Sequence, residues 1–306
     1  MSILVVGSTH VDFYIKVPRL PQPDETIKGY TFFTRPGGKG ANQAVACAKL
    51  GATTYFLSAV GKDFLADIAL QALTSAGVNV KYVQVDEGTH TGVAFILLSE
   101  NGENMIIIAP GADNSIKPEH VDKALRELGN EVKVILTQLE IPMETVFYTL
   151  KRGKEIGATT ILNPAPANPQ TKMLLKYTDI ITPNRVEASQ LSGIEVKDLE
   201  SAFKAGEEIL KKGPRAAIVT LGSGGAALVT REMKKHVPAF KVSAVDTVGA
   251  GDAFTAGVAV ALLEGKDLGE AVLFANAVAA LKVTRIGAQS VPTRSEVEEF
   301  IKKQRT

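Results

Sequence analysis

The stretch "VKVILTQLE" (residues 132–140) is a nearly continuous apolar run that ends in a glutamate. Four other runs share this character: "ILVVG" (3–7), "TTILNPAP" (159–166), "DIITPN" (179–184) and "AAIVTLG" (216–222). Such runs are typical of strands that are covered on both faces. Segments with helical spacing lie between them, as in "VDKALREL" (121–128) and "LESAFKAGEEILKKG" (199–213). The alternation predicts an α/β fold, a doubly wound and mainly parallel sheet with helices on both faces.

Two further stretches follow a different pattern. Residues 11–35 and 91–109 alternate apolar and polar side chains in the manner of strands, and "ENGEN" (100–104) is a hairpin turn signal. We expect a small antiparallel β lid inserted in one domain that spans residues 1–306. Ordinary edge strands are the simpler interpretation. Because neither segment can bury both its faces alone, lids from two protomers are expected to pack together as a homodimer.

Composition limits the classes of partner. The chain has 34 basic and 33 acidic residues, a formal net charge of +1, and no block of like charges. This balance argues against binding to nucleic acid or to an anionic membrane surface and favours small polar ligands. Cys47 is the only cysteine, which excludes an internal disulfide and suits a reducing compartment. With no leader pattern and no apolar run of about 18 residues, we expect a cytoplasmic protein.

In a parallel sheet, ligands bind beyond the carboxyl ends of the strands, so the loops there are candidates for the site. In "RPGGKGANQAVACAKLG" (35–51), Gly38 and its neighbouring glycines permit close backbone approach. Lys39 and Asn42 follow in the first turn of a helix, where they could bind hydroxyl groups. A glycine-rich turn with a solvated lysine is the alternative.

Two carboxylates lie at the end of a predicted strand or of the loop that follows it. Asp12 ends the first strand-loop and Glu140 ends "VILTQLE". Either could accept hydrogen bonds from polyol hydroxyls, or could cap a helix.

Two more loops have double interpretations. Asn184 and Glu187 in "TPNRVEAS" suit Mg²⁺ held through water, and equally an N-cap with its capping-box glutamate. Thr220, Gly222 and Gly225 in "VTLGSGGAAL" suit a nucleotide close to backbone amides, or a tight hairpin.

The stretch "VDTVGAGDAFTAGVAVALLEG" (245–265) carries the most specific chemistry. Gly249, Ala250 and Gly251 can turn their N–H groups toward one point at a helix N-terminus, which makes an anion hole. Asp252 in the same turn could take the proton from an attacking hydroxyl. Phosphoryl transfer needs little more than such a base, an anion hole and Mg²⁺. A first-turn helix stabiliser is the alternative for Asp252.

Motifs at both ends of the chain resemble those of one family. "GGKGANQAVA" (37–46) resembles the first signature of the ribokinase family of carbohydrate kinases, and "DTVGAGDAFTAG" (246–257) its second. "LNPAPA", "ITPNRVEAS", "VTLGSGG" and "VTRIGAQSVP" are also similar, so the resemblance covers about residues 3 to 302.

The resemblance implies an ATP-dependent kinase that uses Mg²⁺ and a monovalent cation, K⁺. Its expected reaction moves the γ-phosphoryl group to a primary hydroxyl of a pentose, first of all the 5-hydroxyl of D-ribose. Deoxyribose, a nucleoside, a hexose or an inositol are rival acceptors within the family. From a different class, the chain could be a non-catalytic sugar-binding regulator.

The resemblance also implies roles for residues at matching positions. Sugar binding falls to Asp12, Gly38, Lys39, Asn42 and Glu140, and catalysis to Asp252 as base with Gly249, Ala250 and Gly251 as anion hole. Asn184 and Glu187 act near Mg²⁺ and the phosphates, and Thr220, Gly222, Gly225 and Asn276 line the nucleotide site. The monovalent cation site corresponds to Asp246, Ser290 and the backbone carbonyls of Val248, Lys282, Arg285 and Gly287.

One position departs from the family pattern. His10 stands two residues before Asp12, where the family usually has an asparagine that touches the sugar. An imidazole is bulkier and can carry a charge, so the identity of the pentose stays open.

Overall fold

The structure is a computed structural model that describes residues 1–101 and 103–305. Its strands are β1 (Ser2–Val6), β2 (His10–Val17), β3 (Thr31–Gly37), β4 (Thr54–Gly61), β5 (Asn79–Asp86), β6 (Gly92–Ser99), β7 (Asn104–Ala109), β8 (Val132–Thr137), β9 (Thr159–Leu162), β10 (Ile180–Ile181), β11 (Ala216–Thr220), β12 (Ala226–Thr230) and β13 (Lys234–Val237). Its α-helices are α1 (Lys39–Lys49), α2 (Phe64–Ser75), α3 (Pro118–Leu128), α4 (Met143–Glu155), α5 (Arg185–Ser192), α6 (Leu199–Leu210), α7 (Ala250–Leu263), α8 (Leu268–Val283) and α9 (Arg294–Arg305).

The main sheet has the strand order β13-β12-β11-β10-β9-β8-β1-β4-β5. The seven strands from β11 to β5 pair in parallel, and β12 and β13 add an antiparallel edge. The predicted α/β fold with a mainly parallel sheet is confirmed. The five predicted strands appear as β1, β8, β9, β10 and β11; all but β1 are shorter than their apolar runs. β4, β5 and β13 were not anticipated.

Alternation along β1 separates two hydrophobic cores. Ile3 and Val5 point into the core formed with α1, α7 and α8, while Leu4 and Val6 point into the core formed with α3, α4, α5 and α6. All four side chains are fully buried. Strands covered on both faces in this way need apolar side chains at every position, which is why the sequence shows continuous runs. Cys47 lies in the first core, as expected for a small buried hydrophobe.

The lid is a second sheet of four strands in the order β3-β2-β6-β7. β2 pairs antiparallel with β3, and β6 pairs antiparallel with β7. The two central strands, β2 and β6, run parallel to each other, because the chain crosses the main domain between them. The predicted lid segments are therefore confirmed as one sheet. The predicted turn "ENGEN" includes Gly102, which lies outside the described residues.

The junction between β1 and α1 places the first glycine-rich loop at the carboxyl edge of the main sheet. A Cβ on Gly40 would lie 2.5 Å from the carbonyl carbon of Gly7, so only glycine allows the two backbones to approach so closely. The N–H of Ala41 donates to the carbonyl of Ser8 over 2.9 Å and holds the helix start there. In the described part of the chain, no helix combines the length and apolarity needed to cross a membrane.

Candidate active site

A cavity of about 190 Å³ lies beyond the carboxyl ends of the parallel strands. Its walls come from the starts of three helices: Lys39 of α1, Glu187 of α5 and the turn from Gly249 to Asp252 at α7. The structure therefore brings together three motifs that are far apart in the sequence. Helix N-termini that converge on one cavity suit an anionic ligand.

Asp252 is one of two buried carboxylates that line this cavity; the other is Glu187. Asp252 is 6% exposed, and each of its oxygens accepts one amide hydrogen bond from α1. Asn42 Nδ2 donates to Oδ2 over 3.0 Å, and Gln43 Nε2 donates to Oδ1 over 2.9 Å. Burial raises the pKa of Asp252, and the charge of Lys39 and the two amide hydrogen bonds oppose that rise. A carboxylate in this state is a stronger base than one in water, as a general base requires.

A chain of buried amides holds Gln43 in place. Its Nε2 also donates to Asn163 Oδ1 over 3.1 Å, and its Oε1 accepts a hydrogen bond from Gln138 Nε2. Asn163 in turn donates to the carbonyl of Thr182 over 3.1 Å. The sequence patterns did not predict that Gln43, Gln138 and Asn163 belong to the site. The sequence does contain a signal for them: each is a polar side chain in, or directly after, an otherwise apolar buried helix or strand.

The first turn of α1 places two further polar side chains at the site. Asn42 Oδ1 is buried and has no hydrogen-bond partner among residues 1–101 and 103–305, so it is free to accept from a ligand hydroxyl. Burial disfavours the Lys39 ammonium, but surrounding carboxylates outweigh this and raise its pKa; they belong to Asp252, Glu140, Glu187 and Asp12. Lys39 is therefore charged in the site.

Glu140 caps a helix, which was one of the two roles predicted for it. Its Oε2 accepts the backbone N–H of Lys39, the first residue of α1, over 2.9 Å. The same oxygen accepts the Ser8 hydroxyl over 2.6 Å. Asp12 lies on β2 and is 6% exposed, and burial raises its pKa to about 6 against the opposing charge of His10. A sugar role for both carboxylates stays a prediction.

His10 forms a buried ion pair with a residue that the sequence did not point to. Its Nε2 lies 2.7 Å from Asp113 Oδ2, and Asp113 Oδ1 accepts the backbone N–H of Thr9 over 2.9 Å. Burial lowers the pKa of His10, but the hydrogen bond and charge of Asp113 outweigh it and raise the pKa to about 9. The ring fits because Gly92 stands opposite on β6, where a Cβ would lie 2.4 Å from the imidazole Cδ2.

The predicted anion hole lies at the start of α7. Gly249 is the N-cap with φ of 76°, and a Cβ there would lie 2.9 Å from Ala288 Cα, so glycine is required on both counts. Gly251 is exposed to the cavity and has open space around it. The N–H of Ala250 donates to the carbonyl of Thr247 over 3.2 Å in the turn itself. First-turn N–H groups have no partner within the helix, which leaves the others available to a phosphate.

A second cleft of about 430 Å³ adjoins the cavity through Ala250 and Gly251. Thr220, Gly222, Gly225 and Asn276 all line it, as predicted for the nucleotide site. The glycine-rich loop is at the same time the tight connection between the antiparallel strands β11 and β12.

Apolar side chains complete this cleft. Phe254, Ala280 and Val283 form an apolar wall next to Asn276. The Asn276 amide nitrogen donates to the carbonyls of Val237 and Pro238 over 2.9 and 3.0 Å. Its nitrogen therefore fixes the end of β13 beside the cleft.

Asn184 and Glu187 form the capping box of α5. Asn184 Oδ1 accepts the Glu187 N–H over 2.9 Å, and Glu187 Oε2 accepts the Asn184 N–H over 2.9 Å. Both residues also line the cavity, so the two interpretations of this motif are compatible. Burial raises the pKa of Glu187 to about 7. No cluster of three or more candidate metal-binding side chains occurs in the described ranges, so Mg²⁺ here would depend on water and phosphate oxygens.

The loop around Asp246 lies behind the anion hole. Asp246 Oδ1 accepts the N–H of Val248 over 2.9 Å, and its Oδ2 accepts the N–H of Gly287 over 2.7 Å. Ser290 Oγ donates to the carbonyl of Ile286. The side chain of Lys282 was not predicted to take part, since only its backbone carbonyl was assigned a role. Its ammonium enters the loop and donates to the Asp246 carbonyl over 3.0 Å.

The remaining residue of the predicted cation site, Arg285, directs its side chain away from the loop. Its guanidinium makes a salt bridge with Glu296 of α9 over 2.6 Å. Only its backbone could contribute to the loop.

Comparisons with known proteins agree with this geometry. The description "pfkB family carbohydrate kinase" matches residues 1–294. A ribokinase of Haemophilus influenzae is 38% identical over 301 residues, which cover 98% of each chain. A deoxyribokinase of Salmonella typhi is also 38% identical, over 98% of this chain and 99% of its own. The structure of Arabidopsis thaliana ribokinase complexed with ribose and ATP is similar with a TM-score of 0.91 at 35% identity, over 98% of both chains.

The pKa of Glu187 leads to a test of the site's electrostatics. A carboxyl whose pKa rises from 4.5 to about 7 on folding destabilises the fold as pH increases through that window. Replacing Glu187→Gln should remove up to about 3 kcal/mol of that pH-dependent loss. The measurement is the free energy of unfolding in urea at several pH values between 5 and 8.

The exposed Glu200→Gln in α6 is the matched control and should keep the wild-type pH profile. If Glu187→Gln kept the wild-type dependence of stability on pH, burial would not raise the pKa of this carboxyl.

Proposed function

The chain belongs to the pfkB family of carbohydrate kinases, and from this premise we propose that it transfers the γ-phosphoryl group of ATP to the 5-hydroxyl of D-ribose. The observation that carries the proposal is the Asp252 carboxylate, buried at the N-terminus of α7 with amide partners on both oxygens. A ribokinase at 38% identity over the whole chain and a similar structure with ribose and ATP support the choice of substrates.

On the sugar side, we assign binding to His10, Asp12, Gly38, Lys39, Asn42 and Glu140. Asn42 Oδ1, which has no partner among the described residues, could accept a hydrogen bond from a sugar hydroxyl. Asp252 would take the proton of the attacking hydroxyl as the new O–P bond forms. Its two amide hydrogen bonds fix the carboxylate so that this proton transfer needs no rearrangement of the site.

On the phosphate side, the turn from Gly249 to Gly251 would hold the transferred group. Its N–H groups and the helix dipole favour the negative charge of the phosphoryl oxygens, and ADP would leave into the larger cleft. Glu187, with Asn184, would bind water molecules of Mg²⁺, which supplies charge neutralisation between the phosphates when bound. The Lys39 ammonium would add a positive charge on the sugar side.

The loop around Asp246 would keep this turn rigid. Gly249 packs directly on Ala288, so any charge that fixes residues 284–290 also fixes the anion hole. The family resemblance assigns that charge to K⁺, bound by Asp246, Ser290 and backbone carbonyls. The Lys282 ammonium offers a second source, and the two sources make opposite predictions for salt dependence.

A second candidate acceptor is 2-deoxyribose. The deoxyribokinase of Salmonella typhi is as similar to this chain as the ribokinase of Haemophilus influenzae. The chain also has a charged His10–Asp113 pair where the family usually has asparagine. Because one polar contact can discriminate between sugars that differ by one hydroxyl, His10 is the residue on which this choice depends.

We further propose a single kinase domain that works as a homodimer through the lid. One lid face exposes a row of large apolar side chains, of which Phe32 is 61%, Phe95 48% and Ile107 61% exposed. Exposed apolar patches of this kind mark interfaces. The buried, unpaired Cys47 suits the reducing cytoplasm, where we place the enzyme.

The base is tested by Asp252→Asn. Asparagine keeps the size of the side chain but cannot take a proton, so kcat with ribose and ATP should fall by about 10²-fold or more. Ribose binding, measured by calorimetry, should change little. The melting temperature is measured alongside, because the new side-chain NH₂ group would face one of the two amide donors, from Asn42 or Gln43, that the carboxylate accepts.

Near-normal turnover of Asp252→Asn would rule out this residue as the base. Absence of any phosphorylation by the wild-type protein, despite ribose binding, would instead favour a sugar-binding regulator.

Sugar choice is tested by His10→Asn. If the imidazolium contacts the sugar, the ratio of kcat/KM for ribose over 2-deoxyribose should shift by about 10-fold, since one hydrogen-bonding group is exchanged. A panel of pentoses, hexoses and nucleosides gives the ranking. His10→Asn combined with Asp113→Asn controls for the carboxylate that would otherwise lose its partner, and an unchanged ranking in both variants would make His10 a structural residue only.

The dimer is tested by Ile107→Asp. A charge in the centre of the exposed lid face should shift the protein from dimer to monomer in light scattering, because the carboxylate would be desolvated in the interface. Ile156→Asp at the end of α4, also an exposed isoleucine, should leave the mass unchanged. A wild-type protein that is monomeric at working concentration would contradict the shared lid.

A further inference from the structure

Lys282 is one of the largest fully buried side chains of the described chain, with 0% exposure. It lies one residue before the end of α8, a helix that is otherwise almost entirely apolar. Burial of an ammonium group costs several kcal/mol unless it is hydrogen-bonded or paired. Its position therefore requires an explanation in terms of what the ammonium contacts.

The contact is with the loop behind the anion hole. Lys282 Nζ donates to the backbone carbonyl of Asp246 over 3.0 Å. The N–H groups of Val245 and Asp246 both donate to the carbonyl of Val283, over 2.7 and 3.0 Å. The start of the turn that leads to Gly249 is thus clamped on the end of α8 by the lysine from one side and by backbone from the other.

Four of the six residues assigned to a monovalent cation already use the assigned group in a hydrogen bond. The Asp246 carboxylate accepts two backbone N–H groups, and its carbonyl accepts the lysine. The carbonyl of Lys282 accepts the N–H of Arg285 over 3.0 Å, and that of Gly287 accepts the N–H of Ser290 over 3.1 Å. The Ser290 hydroxyl donates to Ile286. A large ion such as K⁺ needs a ring of open oxygens, and at three of the six positions, Asp246, Lys282 and Gly287, the oxygens already accept backbone N–H groups.

We propose that the Lys282 ammonium is the built-in cation of this loop and makes the enzyme independent of K⁺. The proposal rests on the kinase activity proposed above. Because this ammonium is covalently attached to the chain, it cannot dissociate as a bound ion can. It therefore fixes the conformation of residues 246–249 and of the loop through Ala288 before any ligand binds. Lys282 is a positioning residue: it acts on the anion hole through the backbone and does not contact the reacting atoms.

Two variants and three salts test this. Wild-type kcat/KM, measured at fixed ionic strength in chloride salts of K⁺, Na⁺ and N-methylglucamine, should agree within about twofold, because no site needs filling. Lys282→Met keeps the aliphatic stem without the charge and should lose about 10-fold or more in all three salts. Lys282→Ala opens the loop, so it should lose activity in N-methylglucamine and regain at least part of it in K⁺.

The melting temperature gives a readout that does not depend on turnover. It should be the same for the wild type in all three salts, and Lys282→Ala alone should be stabilised by K⁺ relative to N-methylglucamine. Lys212→Ala is the matched control, because Lys212 also donates to a backbone carbonyl, that of Leu191, far from the site. Its activity should match the wild type in each salt.

Each other outcome overturns the proposal. A wild type that K⁺ activates severalfold over N-methylglucamine has a cation site that Lys282 does not fill. A Lys282→Met variant that folds and keeps full activity shows that the ammonium is dispensable. Lack of any phosphoryl transfer to sugars in the wild type would refute the proposed function instead, while the melting temperatures would still report on the loop.

Discussion

The burial of the Asp252 carboxylate is the constraint on which the site depends. A buried carboxylate is tolerated only when its oxygens are hydrogen-bonded, and both partners here, Asn42 and Gln43, come from the first turn of α1. The N-terminus of α1 must therefore meet the N-terminus of α7. That meeting is possible because Gly40 lets α1 approach Gly7 at the end of β1, and the two helices then form one core with α8.

This arrangement brings two kinds of polar group near Asp252. Near α1 lie the carboxylates of Asp12 and Glu140, which in the proposed reaction would accept hydrogen bonds from sugar hydroxyls. At α7 lie the backbone N–H groups of the turn from Gly249 to Gly251, which in the proposed reaction would donate to phosphoryl oxygens, although that of Ala250 also donates to Thr247. Asp252 lies at the boundary, where the hydroxyl and the phosphoryl group must meet. The amide network through Gln43 keeps the boundary in place without adding a charge that would attract the wrong ligand.

Local patterns in the sequence predicted much of this. Continuous apolar runs gave the parallel strands, and glycine-rich turns before helices located the starts of α1 and α7, because both signals depend on neighbouring residues. The pairs that complete the site are not local. His10 meets Asp113 and Gln43 meets Gln138 across more than 90 positions of the chain. No spacing rule connects such residues, since their meeting follows from the strand order.

Lys282 is an intermediate case, because its signal was present in the sequence. A helix that is apolar on every side must be buried on every side, so a lysine within "AVAALKV" has no solvent-facing position. A buried ammonium must then find an acceptor near the end of its own helix, and the carbonyls of the preceding loop are the nearest candidates. The helix pattern could not predict which carbonyl accepts the hydrogen bond of the lysine, because that depends on the turn at Asp246 folding back onto Val283.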